Sequence, residues 1–107
     1  MEVTAWNNGK HHKSGAGYGI KINLIDRDRY FKKSWGSVYL KLPNGVDIEI
    51  NTDKASFWND SCRELISKEI GKWLIDNKKA PWPSGSPPKF HMNSNSERHF
   101  VLHENET

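Results

Sequence analysis

The sequence predicts a mainly β (α+β) fold, a small open pseudobarrel of short strands with two short helices at its ends. Two pairs of short alternating segments, each split by a turn, supply the strands. Only two stretches carry helical signals, too few to cover both faces of a sheet. At 107 residues the chain suits one core. Apolar residues make up 35% of it, below the ~45–50% usual for globular chains. Five Trp offset this, because each large ring can bury on the order of 150–250 Å². Trp6, Trp35 and Trp73 are assigned to the core. One domain is expected over residues 1–103, with a frayed tail over 104–107.

Val3-Thr4-Ala5-Trp6 makes a short first strand, followed by a polar, Gly-rich loop from Asn7 to Gly17. Gly19 to Leu24 alternates, with Ile20, Ile22 and Leu24 on one face of a half-buried strand. Asp26 is suited to cap a short helix through Arg27–Lys33, its carboxylate accepting from free N–H groups of the first turn. Ser37–Leu42 and Val46–Ile50 flank Asn44-Gly45, residues that tolerate the positive φ of a type I′ hairpin turn. Lys54 to Ser61 reads as a loop or irregular strand with Phe57 and Trp58 embedded.

Ile66, Ile70, Trp73 and Leu74 then fall at helical spacing. The start of that helix has two readings. Ser61-Cys62-Arg63-Glu64 matches a capping box; alternatively, Arg63–Ile66 ends a strand and Ser67 is the cap. Ala80 to Pro88 holds four prolines and must be an extended connector. Lys89–Met92 and His99–Leu102 form a last hairpin around Asn93–Ser96.

A single cysteine, Cys62, excludes an intramolecular disulfide framework and fits a reducing compartment. The first residues lack a signal-peptide pattern, and no apolar run approaches the roughly 20 residues that span a bilayer. A cytoplasmic, non-secreted protein is expected. Net charge is +3, unevenly spread: residues 1–35 carry +4 and residues 36–62 carry −2. A basic end is a weak electrostatic footprint of nucleic acid, and ordinary solvated charge explains it equally well.

One run of residues carries a family resemblance: Val46–Ile50, Ser56-Phe57-Trp58-Asn59-Asp60-Ser61, Leu65–Leu74, then Gly85 and the strand around Phe90. In this order the chain resembles the B3 domain, a DNA-binding pseudobarrel of plant transcription factors and of the recognition parts of some restriction endonucleases. It departs from the family at Glu69-Ile70, where a Gly-Trp pair is usual, and at Ser84–Pro88, where a Gly-Asp turn is usual. These departures point to a stand-alone bacterial or phage relative.

The resemblance implies double-stranded DNA as partner, a restriction or antiviral setting, no cofactor and no enzymatic activity. It also implies two arms in the major groove, Asn8–Gly17 and Lys54–Arg63. The first arm offers Lys10, His11, His12, Lys13 and Ser14, between glycines that let backbone approach phosphates. The second offers Lys54, Ser56, Asn59, Ser61 and Arg63, with Asn suited to adenine and Arg to guanine. Lys21 counts among the DNA-binding residues. Trp58 has two readings, stacking on a base or packing beneath the arm.

Other chemistries fit less well. His11 and His12 are adjacent and point opposite ways in an extended chain, and no Cys pair has zinc-ligand spacing. His91, His99 and His103 could meet across the last hairpin, although exposed strand positions suit them as well. His11-His12-Lys13 contains the H-x-K fragment of phospholipase-D-type phosphodiesterases, but Tyr18 stands where that motif needs Asp. Asp47 and Glu49 hint at a metal nuclease, yet Asn51 replaces the expected Lys. Gly15–Gly19 lacks the Lys-Ser/Thr and long helix of a nucleotide-binding loop. The runner-up function is a protein-interaction adaptor or phage-encoded inhibitor using the Trp82-Pro83 connector.

Overall fold

Alternation decides which way each strand faces. In β1 (Glu2–Asn7), Val3 and Ala5 are buried; in β2 (Tyr18–Ile22), Ile20 and Ile22 are buried. Thr4, Trp6 and Lys21 therefore lie on the outer side. A computed structural model of the chain describes residues 1–104. The remaining strands are β3 (Ser37–Lys41), β4 (Asp47–Asn51), β5 (Glu64–Ile66), β6 (Lys89–Ser96) and β7 (His99–Glu104).

All seven strands form one sheet in the order β4-β3-β7-β6-β1-β2-β5. Every neighbouring pair is antiparallel except β3 and β7. The outermost strands, β4 and β5, come back into contact, so the sheet is a nearly closed barrel. The expected small, mainly β barrel-like fold is the one observed. Its interior is filled by large side chains: Phe31 stacks on Phe100 at 4.5 Å between ring centres, and Trp73 meets Phe90 edge-on at 5.2 Å.

The helices differ from expectation in number and position. Among the described residues there are three, α1 (Leu24–Tyr30), α2 (Ala55–Trp58) and α3 (Lys68–Asp76), plus a 3-10 turn at Lys33–Trp35. Helix α1 starts three residues earlier than the Asp26 cap implied; Asn23 precedes it without a side-chain cap bond, and Asp26 sits in the first turn, where a carboxylate favours the dipole. Leu24 thus leaves the strand face and is exposed, as is Ile25, because the residue this helix buries is Arg27. Residues 55–58, read as loop or irregular strand, form a single helical turn that buries Phe57. Of the two starts considered for α3, the later holds: Glu64–Ile66 is a strand and the Ser67 hydroxyl accepts from the Glu69 N–H at 3.2 Å.

Both hairpins also correct the sequence reading. Only Gly45 has positive φ (+89°), and the Gly45 N–H donates to the Leu42 carbonyl, so the turn is not type I′. Pro43, with φ pinned near −65°, favours a type I-like turn followed by a left-handed glycine. The last hairpin is longer than expected: β6 runs on to Ser96, a register shift falls between Ser94 and Ser96, and Arg98 turns the chain at φ +66°. Glu104, assigned to the tail, pairs with Phe90 as the end of β7; the rest of that tail, 105–107, lies outside the described residues. Trp73 is core as expected, but Trp6 and Trp35 are only half-buried. The connector 80–88 is not extended throughout: residues 84–85 form a turn in which the Ser86 N–H donates to the Pro83 carbonyl at 3.0 Å, and its end meets β1, where the Ala5 N–H donates to the Pro88 carbonyl at 2.9 Å. Among the described residues no helix is long and apolar enough to cross a membrane.

A close backbone approach joins the first loop to α3. Gly15, at φ +90°, lies backbone to backbone against Gly71 in the middle of the helix, and both are buried. A Cβ on Gly71 would overlap the Gly15 carbonyl and come within 2.6 Å of its Cα. Elsewhere, Gly→Ala inside a helix gains about 1 kcal/mol. Here Gly71→Ala is expected to lose about 2 kcal/mol or more by overpacking. Gly45→Ala, whose Cβ meets open space, should lose only about 1 kcal/mol through its left-handed φ. Urea unfolding of the two variants checks this, and a Gly71→Ala protein as stable as the parent contradicts it.

Candidate nucleic-acid interface

The first loop is built by its own side chains. Asn7 Oδ1 accepts from the Gly9 N–H at 2.7 Å, and Asn7 Nδ2 donates to the Lys10 carbonyl at 2.9 Å. Asn8 Oδ1 accepts from the Lys10 N–H at 3.0 Å, and the Asn8 N–H donates to the Gly17 carbonyl. Such local Asn bonds replace regular secondary structure as the loop's framework. His11 Nδ1 lies 2.6 Å from the Tyr18 hydroxyl, and its ring stands edge-on to Tyr18 and Trp82. Burial pushes the Tyr18 phenol above its ordinary value.

Gly15 was expected to bring backbone close to phosphates; it brings backbone close to α3 instead. Loop and helix therefore meet backbone to backbone at this point. Lys10, His12, Lys13 and Ser14 are exposed on the loop, and Lys68 and Lys72 are exposed on the helix to either side of Gly71. None of these four lysines makes an ion pair among the described residues. Glu69 is the one acidic residue in the first turn of α3. The sequence reading missed Lys68 and Lys72. Their i,i+4 spacing was visible, but the fold-back that places them beside the loop was not.

The second arm depends on Arg27. Its guanidinium donates from Nη1 to the carbonyls of Phe57 (2.9 Å) and Asn59 (2.7 Å), pairs with Asp28 at 2.9 Å, and lies over the Trp58 ring at 5.3 Å. Arg27 is 4% exposed, so α1 reaches across and holds the arm from beneath with a buried cation. Trp58 also donates from Nε1 to the Thr52 carbonyl at 2.8 Å, which makes it a support under the arm.

Side chains expected to read bases also take part in this framework. Asn59 Oδ1 accepts from the N–H groups of Ser61 (3.0 Å) and Cys62 (2.8 Å) and lies 3.4 Å from the Ser61 hydroxyl. Arg63, at φ +65°, donates from Nε to the Ile22 carbonyl (2.8 Å) and from Nη1 to the Asp60 carbonyl. What remains for a ligand is Asn59 Nδ2, without the paired acceptor that adenine recognition uses, and the N–H groups of Arg63 on Nη2 and one on Nη1. Ser56 and Lys54 are half-buried. Burial pushes the Lys54 ammonium below its ordinary value, with Glu64 and Cys62 pulling it back up. Lys21 Nζ donates to the Ser61 carbonyl at 3.1 Å, tying β2 to the arm.

The two arms are not adjacent. The first joins β1 to β2 at Asn7 and Tyr18; the second enters β5 beside Ile22, whose N–H donates to the Arg63 carbonyl. They lie at the two ends of β2, roughly 13 Å apart along a five-residue strand. The outer face between them presents Trp6, Lys21 and the exposed Ile66.

The remaining histidines lie elsewhere. His91 and His103 pair across β6 and β7 and share Asn93, at 2.7 and 3.3 Å, while His99 stacks on Tyr39. Among the described residues no group of three His, Cys, Asp or Glu could hold a metal.

Removing a buried charged donor leaves its acceptors unsatisfied, so Arg27→Ala should cost about 2–4 kcal/mol. Asn59→Ala should cost about 1–2 kcal/mol and act locally. Amide exchange over 59–63 should accelerate in both; unchanged protection and unchanged urea midpoints would show that Arg27 does not hold the arm. Comparisons of this chain with protein families, with curated proteins and with solved structures find no match.

Proposed function

We propose that the protein is a double-stranded-DNA-binding module of B3-like type, acting through its surface and without chemistry of its own. The observation that carries this reading is that Lys10 and Lys13, and Lys68 and Lys72, are exposed and without ion pairs among the described residues, on a loop and a helix that meet at Gly15 and Gly71. Cations held in a fixed array neutralise successive phosphates without first having to be ordered. The second arm supports the same reading. It lies at the other end of β2, and Lys21 Nζ ties that strand to the arm through the Ser61 carbonyl. Lys21 lies on the strand between the two arms.

A different function was expected as runner-up, with Trp82 presented to a protein partner. Trp82 is half-buried and stands edge-on to Tyr18 at 5.8 Å and to His11 at 5.9 Å, so part of its ring is taken up by its own barrel.

With about five phosphates neutralised, log K for a random duplex should fall with log[salt] at a slope near −4 to −5. Lys10→Ala, Lys13→Ala, Lys68→Ala and Lys72→Ala should each reduce that slope by about 0.9 and weaken binding to all sequences alike. Fluorescence anisotropy between ~50 and ~200 mM salt reads both quantities. A flat salt dependence contradicts DNA binding; a slope that the two helix lysines leave unchanged contradicts a surface shared by loop and helix.

A further inference from the structure

A groove of about 450 Å³ opens where β1 ends, bounded by Trp6, by Gly9 and His11 of the first loop, and by the connector from Trp82 to Pro87. Its two indoles are unusual in this molecule. Trp73 belongs to the core, and Trp35, Trp58 and Trp82 pack against it; Trp6 is half-buried yet has neither a core contact nor a ring partner among the described residues. Opposite Trp6 on β2 stands Gly19, which offers no side chain to cover it. Neither indole N–H has a hydrogen-bond partner among the described residues, and His11 uses only Nδ1, toward Tyr18.

The groove thus combines aromatic surface with three uncommitted ring nitrogens. Lys10 and Lys13 do not line the groove but are exposed on the loop that forms one wall, Lys10 next to the lining residues Gly9 and His11. An apolar peptide would use the rings but not the charges, and a free anion would use the charges but not the rings. A planar heterocycle carried on a polyanion uses both: its π-face stacks on indole, its ring carbonyls accept from N–H donors, and its phosphates meet the lysines.

We propose that this groove takes one unpaired nucleobase of the bound DNA. The inference rests on the DNA-binding reading and adds a preference for duplexes with a base out of the stack. Such a base has already lost its pairing, so entering the groove costs it little.

The test compares a fully paired duplex with the same duplex carrying one extrahelical 2-aminopurine. The wild-type protein should bind the second about tenfold more tightly and quench its emission. Trp6→Ala and Trp82→Ala should each bring that preference, the ratio of the two affinities, close to one, so that any loss common to both duplexes cancels; Trp82→Phe, which keeps an aromatic face, should retain most of it. Equal binding of the two duplexes by the wild-type protein, with emission unchanged, overturns the inference and leaves the DNA-binding reading standing. Failure to bind either duplex overturns both. A preference that survives in both alanine variants places the base elsewhere and also overturns the inference.

Discussion

The contact on which the rest of the interface depends is the meeting of two backbones at Gly15 and Gly71. A helix and a loop normally keep apart by the thickness of their side chains, 8–10 Å between axes for two packed helices. Here neither partner has a side chain at the point of contact, and the gap closes to backbone van der Waals distance. That single approach turns a polar, glycine-rich segment into a fixed extension of α3. It also brings the part of the helix that carries Lys68 and Lys72 against the loop that carries Lys10 and Lys13.

The second arm is organised by a different force, the hydrogen-bonding demand of a buried charge. Arg27 is enclosed by Asp28, Trp58 and two main-chain carbonyls, and those carbonyls belong to the segment that the arm comprises. A guanidinium keeps its charge at any ordinary pH, so its donors must be satisfied wherever it is buried. Loop 59–63 therefore takes the shape that presents carbonyls to Arg27 and to Arg63. Two unlike devices, a side-chain-free contact and a buried cation, hold the two arms at opposite ends of β2.

Strands were the most legible part of the sequence. Their positions follow from a period of two in residues such as Val38, Leu40 and Ile50, and burying the apolar set leaves one register open. Turns were less legible, since Asn44-Gly45 pointed to one turn type and the preceding Pro43 favoured another. Residues 24–31 were misplaced because Leu24 fits the strand alternation, whereas the burial of Arg27 is decided by partners 30 and 32 residues away. The candidate site followed the same pattern. Lys10, His12 and Lys13 follow from where the family resemblance implies a first arm, and the structure leaves them exposed. Lys68 and Lys72 depend on a contact across more than fifty positions, which no local pattern encodes. Asn59 and Arg63 have the residue types of base readers, but their geometry gives them structural work in the loop.

Loop and helix are thus argued to form one cationic surface that engages DNA as a unit. Titration of the isotopically labelled protein with a random duplex, followed by backbone amide shifts, tests this most directly. Residues 9–15 and 68–72 should shift together along one binding curve, with smaller changes at 59–63. Shifts confined to the loop, or centred on β3–β4 and the His91–His103 pair, would contradict the account.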